Sequence, residues 1–247
     1  MKSKNLALIT GASSGIGEAL SREMVQRGWS VIGIARSQGK LAAIQKELGD
    51  AFMPVVCDIS QKSEVERASK EMLKKEVCPT HFFLNAAIAG EKVIENPQAF
   101  DLSMHEKIMA VNYFGVLSFV EFWEKHAMNN GGANFIVTSS INAIFAPPTG
   151  SAYCASKAAI SKAFESLSLT YFGTNLKFST IYCGPVATEG LKGDLPFTWK
   201  SEKMARYMAD FAIKEKSHGE PSLFYGVVCR FLRALPYNWT MKILKKL

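Results

Sequence analysis

Short runs that are apolar at nearly every position alternate along the chain with stretches of helical periodicity. The runs are 6–10, 30–35, 52–57, 81–85, 134–139 and 177–182, with a shorter one at 222–225. The helical stretches between them are 15–27, 41–48, 61–75, 103–128, 152–172 and 201–214. A strand without polar alternation has no face to give to water, so it must lie in a sheet covered on both sides. Parallel neighbours also need a crossover long enough for a helix, which the intervening stretches supply. The pattern therefore predicts a doubly wound α/β domain, a parallel sheet with helices on both faces. With 48% apolar and 21% charged residues the chain has enough side chain to bury against its ordering entropy, which excludes intrinsic disorder. No linker, low-complexity segment or repeat interrupts residues 5–225. We read a single domain over 1–225, followed by a tail over 226–247.

The net charge of +7 is concentrated in that tail. No acidic residue follows Glu220, whereas Arg230, Arg233, Lys242, Lys245 and Lys246 do, so the body is close to neutral. The tail interleaves these cations with Phe, Leu, Val and Trp, and Pro236 divides it into two short segments expected to be helical. Such a segment can dock on its own body, on a second subunit or on an anionic membrane surface. Nucleic acid is not expected, because no binding module accompanies the charge.

Five cysteines, an odd number without C-x-x-C spacing and mostly among apolar neighbours, point to reduced thiols and a cytoplasmic setting. The four histidines are not clustered with them, so no metal site is expected. The apolar run after Lys4 ends too soon, at Gly11, for a secretory signal, and no uncharged apolar stretch reaches 18 residues.

The first strand-to-helix turn reads Thr10-Gly11-Ala12-Ser13-Ser14-Gly15-Ile16-Gly17. Its glycines let the backbone turn sharply and approach a pyrophosphate, at a helix N-terminus that offers free N–H groups and a positive dipole end. The second strand ends in Ala35-Arg36, with no acid for a ribose 2′-hydroxyl; a guanidinium there matches a 2′-phosphate in charge and fork geometry. Tyr153-Cys154-Ala155-Ser156-Lys157 places a phenol and an ammonium four residues apart on one helix face. A phenol near pKa 10 holds its proton too tightly to act as a base at neutral pH, and a neighbouring cation is expected to lower that value. Ser140 lies 13 residues before Tyr153, at the end of the fifth run.

These motifs, in this order and spacing, resemble the short-chain dehydrogenase/reductase family over about residues 5–190. The resemblance implies a Rossmann-type seven-stranded sheet and an NADP(H)-dependent oxidoreductase, NADP(H) being expected in preference to NAD(H). It implies hydride transfer between the nicotinamide and a ketone, aldehyde or alcohol. Tyr153 would serve as acid or base, Ser140 would hold the substrate oxygen, Lys157 would bind the nicotinamide ribose and tune the phenol, and Asn112 would position a relay water. Ser139 is expected to be structural. Cofactor contacts are implied for Gly11, Ser13, Ser14, Gly15, Ile16, Gly17, Arg36, Asp58, Ile59, Asn85, Ala86, Tyr153 and Lys157. Pro185, Val186 and Thr188 would cover the nicotinamide. Asp58 could equally be a turn or helix-cap residue. Residues 189–205 fall where the family builds a substrate lid. Together with Ile141, Ile144 and Phe145 they suggest a small, hydrophobic carbonyl or alcohol as substrate. A homo-oligomer, dimer or tetramer, is also implied. Because fold does not fix function, the alternative is a non-catalytic dinucleotide sensor or partner-binding protein.

Overall fold

The computed structural model describes residues 5–89, 100–147, 150–188 and 197–244. The chain order is β1 (Leu6–Thr10), α1 (Gly15–Gln26), β2 (Ser30–Ala35), α2 (Gln38–Leu48), β3 (Phe52–Val56), α3 (Lys62–Lys74) and β4 (His81–Leu84). It continues with α4 (Leu102–Met109), α5 (Val116–Asn129), β5 (Ala133–Ser140), α6 (Ser151–Thr170) and β6 (Leu176–Cys183). The remaining elements are β7 (Val186–Ala187), β8 (Trp199–Lys200), α7 (Ser201–Ile213), β9 (His218–Gly219), α8 (Leu223–Ala234) and α9 (Tyr237–Leu244).

Seven strands form one sheet in the order β3-β2-β1-β4-β5-β6-β9, and every pairing is parallel. Alternate residues of each strand feed two separate cores. Leu6, Leu8, Ile32, Ile34, Phe82, Leu84, Phe135 and Val137 face one side, where they meet Val65 of α3, Phe119 and Trp123 of α5 and Phe164 of α6. Ala7, Ile9, Val31, Phe83, Ile136 and Ile181 face the other, against Leu20 and Met24 of α1, Leu41 of α2 and Met204 and Met208 of α7. This double covering is why the strands carry no polar alternation. Each fully buried Leu, Ile or Phe contributes roughly 1.5–3 kcal/mol relative to exposure. The Trp123 indole, buried with them, donates to Ser69 Oγ at 3.0 Å and so ties α5 to α3.

Two expectations are corrected. The run 222–225 is not a strand: Ser222 stands at the N-cap of α8, and the seventh strand is the two-residue β9, paired with Thr180 and Ile181. The helix expected over 103–128 is interrupted by a π-helical segment, Ala110–Gly115. The boundary at 225 falls inside α8, whose Gly226 and Cys229 are buried. Pro236 does separate two helices, α8 and α9. All five cysteines are free, and four of them are buried. Among the described residues no helix is long and apolar enough to cross a membrane.

Candidate active site

The strand order reverses between β1 and β4. Their C-terminal connections leave on opposite sides there, and a crevice opens above the strand ends. A cleft of about 870 Å³ occupies this position. It is lined by Gly11, Ser13, Ser14, Gly15, Ile16, Arg36, Asp58, Ile59, Asn85 and Ala86, and also by Ser140, Tyr153, Lys157, Pro185, Val186 and Thr188. Of the residues given a catalytic or cofactor-binding role from sequence, Gly17 and Asn112 do not line it, and both are buried.

The glycine turn is built by close approach. Gly11 has φ +71° and Gly15 φ +55°, the left-handed region that glycine enters without strain. A Cβ on Gly17 would sit 2.2 Å from the Gly11 carbonyl oxygen, so any side chain there forces the turn off the helix start. Ser14 is the N-cap of α1, in extended conformation, and its hydroxyl does not cap the helix. Gly17→Ala is expected to cost about 1–3 kcal/mol by overpacking, read as a fall in chemical-denaturation midpoint, and to weaken dinucleotide binding in parallel. A variant with unchanged midpoint and unchanged binding would contradict the close packing.

A polar chain crosses the strand ends beneath the cleft. Thr10 Oγ1 accepts from the Ala86 N–H at 3.0 Å, and Asn85 Nδ2 donates to the Thr10 carbonyl at 3.3 Å. Thr138 Oγ1 donates to Asn85 Oδ1 at 3.2 Å, and the Lys157 ammonium donates to the Thr138 carbonyl at 2.6 Å. Thr10 and Thr138 were not identified from sequence. Thr10 ends an apolar strand and Thr138 precedes the serine pair of β5, and only strand pairing brings them to Asn85.

Ser139 and Ser140 point oppositely because successive strand residues alternate. The Ser139 hydroxyl is 2.6 Å from Ser161 Oγ of α6. Ser140 Oγ, on the cleft side, accepts from the Asn142 N–H at 3.1 Å and hydrogen-bonds the Tyr153 phenol. The Lys157 ammonium lies 5.7 Å from the Tyr153 ring centroid.

The phenol does not behave as the sequence suggested. Burial pushes the Tyr153 pKa up to about 12, with the Ser140 hydrogen bond pulling the other way. Burial also drives Lys157 down to about 8, because its ammonium has little water around it. The cation is engaged by the Thr138 carbonyl, and desolvation is the largest influence on the phenol. The phenol therefore carries its proton, the form that can donate to an oxygen bound in the cleft. The Cys183 thiol, also on the cleft wall, is pushed up to about 12 by burial, and Lys157 opposes the rise. It packs 3.8 Å from the Met204 sulfur and behaves as an inert thiol.

Asn112 sits in the π-helical segment, and its side-chain amide is engaged by protein groups. Oδ1 accepts from the Ile88 N–H at 2.9 Å, while Nδ2 donates to the Ile88 carbonyl at 2.9 Å and to Ser156 Oγ at 3.0 Å. The amide clamps the segment after β4 to α6 at Ser156, three residues after Tyr153 and next to Lys157. Asp58 lines the cleft, but its Oδ1 accepts from both the N–H and the hydroxyl of Ser60, at 3.0 and 2.8 Å. One carboxylate oxygen is thus a turn cap. Arg36 is exposed at the rim with no hydrogen-bond or acidic partner among the described residues.

Ile141 lines the cleft, but Ile144 and Phe145 do not, because the 3₁₀ turn Ile141–Ala143 carries the chain away. Of the expected lid, residues 189–196 lie outside the described residues, and 201–205 belong to α7. Tyr225, assigned from sequence to a strand, reaches the cleft from α8.

The sequence profile of the short chain dehydrogenase family matches residues 5–196. An uncharacterized oxidoreductase of Staphylococcus epidermidis is 26% identical over 219 residues, covering 87% of this chain and 93% of the relative. The 11-beta-hydroxysteroid dehydrogenase A of Sesamum indicum is 29% identical over 192 residues, 76% of this chain but 54% of that longer protein. The crystal structure of a 3-ketoacyl-(acyl-carrier-protein) reductase from Brucella melitensis, complexed with NADH, superposes with a TM-score of 0.81 at 22% identity, covering 89% of this chain and 97% of that one. With the profile spanning residues 5–196 and the fold matching over 89% of the chain, the chain belongs to the short-chain dehydrogenase/reductase family of oxidoreductases.

Proposed function

We propose that the protein is an NADP(H)-dependent oxidoreductase that interconverts an apolar ketone or aldehyde with the corresponding alcohol. The observation that carries this reading is the placement of Ser140, Tyr153 and Lys157 on the wall of the same cleft as the glycine turn and Arg36. The residues fit a dinucleotide. The Gly11–Gly17 contact admits no side chain, so the turn keeps its backbone N–H groups at the α1 N-terminus, where a pyrophosphate is best held. Arg36, a cation at the rim with no partner among the described residues, suits a 2′-phosphate. A cofactor with a free 2′-hydroxyl would find no carboxylate on the Ala35–Arg36 turn.

When bound, the reduced nicotinamide supplies a hydride to the carbonyl carbon. Ser140 donates a hydrogen bond that orients the carbonyl oxygen. Tyr153 gives its proton to that oxygen as charge builds there, and takes it back in the reverse direction. Lys157, anchored on Thr138, places a positive charge beside the phenol and limits the cost of phenolate formation. Asn112 acts as a positioning residue through Ile88 and Ser156. Gly11, Ser13, Ser14, Gly15 and Ile16 would bind the pyrophosphate, Asp58, Ile59, Asn85 and Ala86 the adenosine half, and Pro185, Val186 and Thr188 the nicotinamide. Ile88, Ile141 and Tyr225 give the substrate end an apolar lining. A relative named for a hydroxysteroid is in keeping with that.

The test is NADPH consumption across a panel of apolar ketones and aldehydes, with Arg36→Ala alongside. Loss of a charged hydrogen bond predicts NADPH binding weakened by about 10- to 100-fold, with NADH changed by less than about threefold. Equal losses for both nucleotides would remove the 2′-phosphate assignment. Tight NADPH binding with no turnover on any carbonyl would favour the sensor reading.

A further inference from the structure

Helix α8 is held to the body by one side only. Gly226 and Cys229 are buried, and Arg233 Nη1 reaches the Ile144 carbonyl at 3.3 Å. The opposite side carries Leu223, Phe224, Val227 and Phe231, from 56% to 71% exposed. Their spacing of about four residues draws a single apolar stripe along the helix. Two neighbours extend it. Phe197, 67% exposed, lies 5.1 Å from the Phe224 ring, and Trp239, 62% exposed, belongs to α9, which Thr240 ties back to the Leu232 carbonyl at 3.1 Å.

The surroundings say what could cover this face. Arg233 is exposed although its Nη1 meets Ile144, Lys242 is exposed on α9, and Lys245 and Lys246 follow in the sequence. Arg230 is paired with Glu220, the last acid of the chain. Beyond Phe197, Lys200, Lys203 and Arg206 surround a recess of about 260 Å³ in which Glu202 is the one carboxylate. A second copy docked through the same face would bring cations against cations, since a twofold contact is self-complementary. A nucleic-acid backbone would use the cations but leave the apolar stripe in water. A sheet of anionic headgroups over acyl chains satisfies both parts at once.

We propose that the stripe on α8, with Phe197 and Trp239, docks this protein on an anionic lipid bilayer. Tyr225, on the same helix, lines the cleft. If the proposed activity on apolar carbonyls holds, docking sets the cleft beside the phase in which such substrates concentrate.

The test uses the full chain and flotation with vesicles of phosphatidylcholine, with or without phosphatidylglycerol, at low and high salt. Binding is expected only to the anionic vesicles and to weaken with salt. The double substitution Phe224→Glu with Phe231→Glu should lower the partition coefficient by at least about tenfold. Arg233→Gln with Lys242→Gln should lower it by about fivefold per cation. The milder Phe231→Ser, with an unchanged thermal midpoint, separates lost docking from lost folding. Absence of binding to anionic vesicles, or equal and salt-independent binding to both kinds, would overturn the proposal. So would a lipid-free dimer that Phe231→Glu dissociates. None of these readouts depends on turnover, so the docking proposal can fail while the oxidoreductase reading stands, and the converse.

Discussion

Replacing Tyr153 by Phe is expected to lower carbonyl reduction by about 10²- to 10⁴-fold, the span that a positioned proton donor supplies. The substitution removes one hydroxyl and keeps the ring, so the 5.7 Å contact with the Lys157 ammonium and the packing of α6 persist. What is lost is the proton. Burial holds the Tyr153 pKa near 12, so the phenol carries its proton at any physiological pH, and Ser140 orients it. Because the loss is confined to the transition state, NADPH affinity should change by less than about threefold while kcat falls. Single-turnover oxidation of bound NADPH, with a fluorescence titration of binding, separates the two. Turnover retained within about tenfold would mean that another group delivers the proton, and the assignment of Tyr153 would have to be withdrawn.

Lys157→Met is expected to stabilise the cofactor-free protein while removing most of its activity. A buried ammonium whose pKa has dropped from 10.5 to about 8 is disfavoured in the folded state by on the order of 3 kcal/mol. The sign follows from proton counting. Between pH 8 and 10.5 the unfolded chain binds more protons at this residue than the folded one, so its contribution to stability rises with pH across that window. Below pH 8 the penalty is constant. Methionine removes the charge and keeps most of the volume, but leaves the Thr138 carbonyl without its 2.6 Å donor, at a cost of about 1–2 kcal/mol. The net expectation is a gain of about 1–2 kcal/mol at pH 7 that shrinks as pH climbs from 8 to 10.5. The difference between wild type and variant is the quantity to follow. Cys183 and Cys57, both pushed up to about 12, lower the stability of the two proteins alike above pH 9. Urea titrations across this range would show the closing gap. A destabilised variant at pH 7, or a pH-independent difference, would mean that Lys157 is not a buried charge. Reduction of a carbonyl by the variant should fall by about 10²-fold or more, since phenolate formation loses its neighbouring cation. A site that is costly to the fold and needed for the reaction is the expected form of a stability–activity trade-off.

Much of the architecture is legible before any coordinates. The first six strands begin and end within one residue of the apolar runs at 6–10, 30–35, 52–57, 81–85, 134–139 and 177–182. Periodicity and turn chemistry are properties of neighbouring residues, and a strand buried on both faces advertises itself. The elements that escaped are those whose stability is borrowed from elsewhere. His218–Gly219 has no apolar signature and is a strand only because Thr180 and Ile181 present a free edge to it. Leu223, Phe224 and Tyr225 look like a strand by composition, yet they begin a helix whose buried side is Gly226 and Cys229. The π-helical segment Ala110–Gly115 follows from no propensity; it goes with an Asn112 amide that meets Ile88 and Ser156.

The site divides along the same line. The glycine turn, Arg36 and the tyrosine–lysine pair are local spacings, and one helix or one turn is enough to place each. Their chemistry was therefore open to a reading of residue types alone. Local spacing cannot say how much water reaches a group, or which distant atom it meets. The predicted fall in the Tyr153 pKa became a rise because the desolvation of the phenol comes from chain segments far away in sequence. The path from Thr10 through Asn85 and Thr138 to Lys157 spans 147 positions, and it exists only where parallel pairing brings four strand and helix ends together. Side-chain identity and local periodicity settle which elements form and which reactive groups they carry. Burial and long-range hydrogen bonding, which only tertiary packing creates, decide the protonation state in which those groups are held.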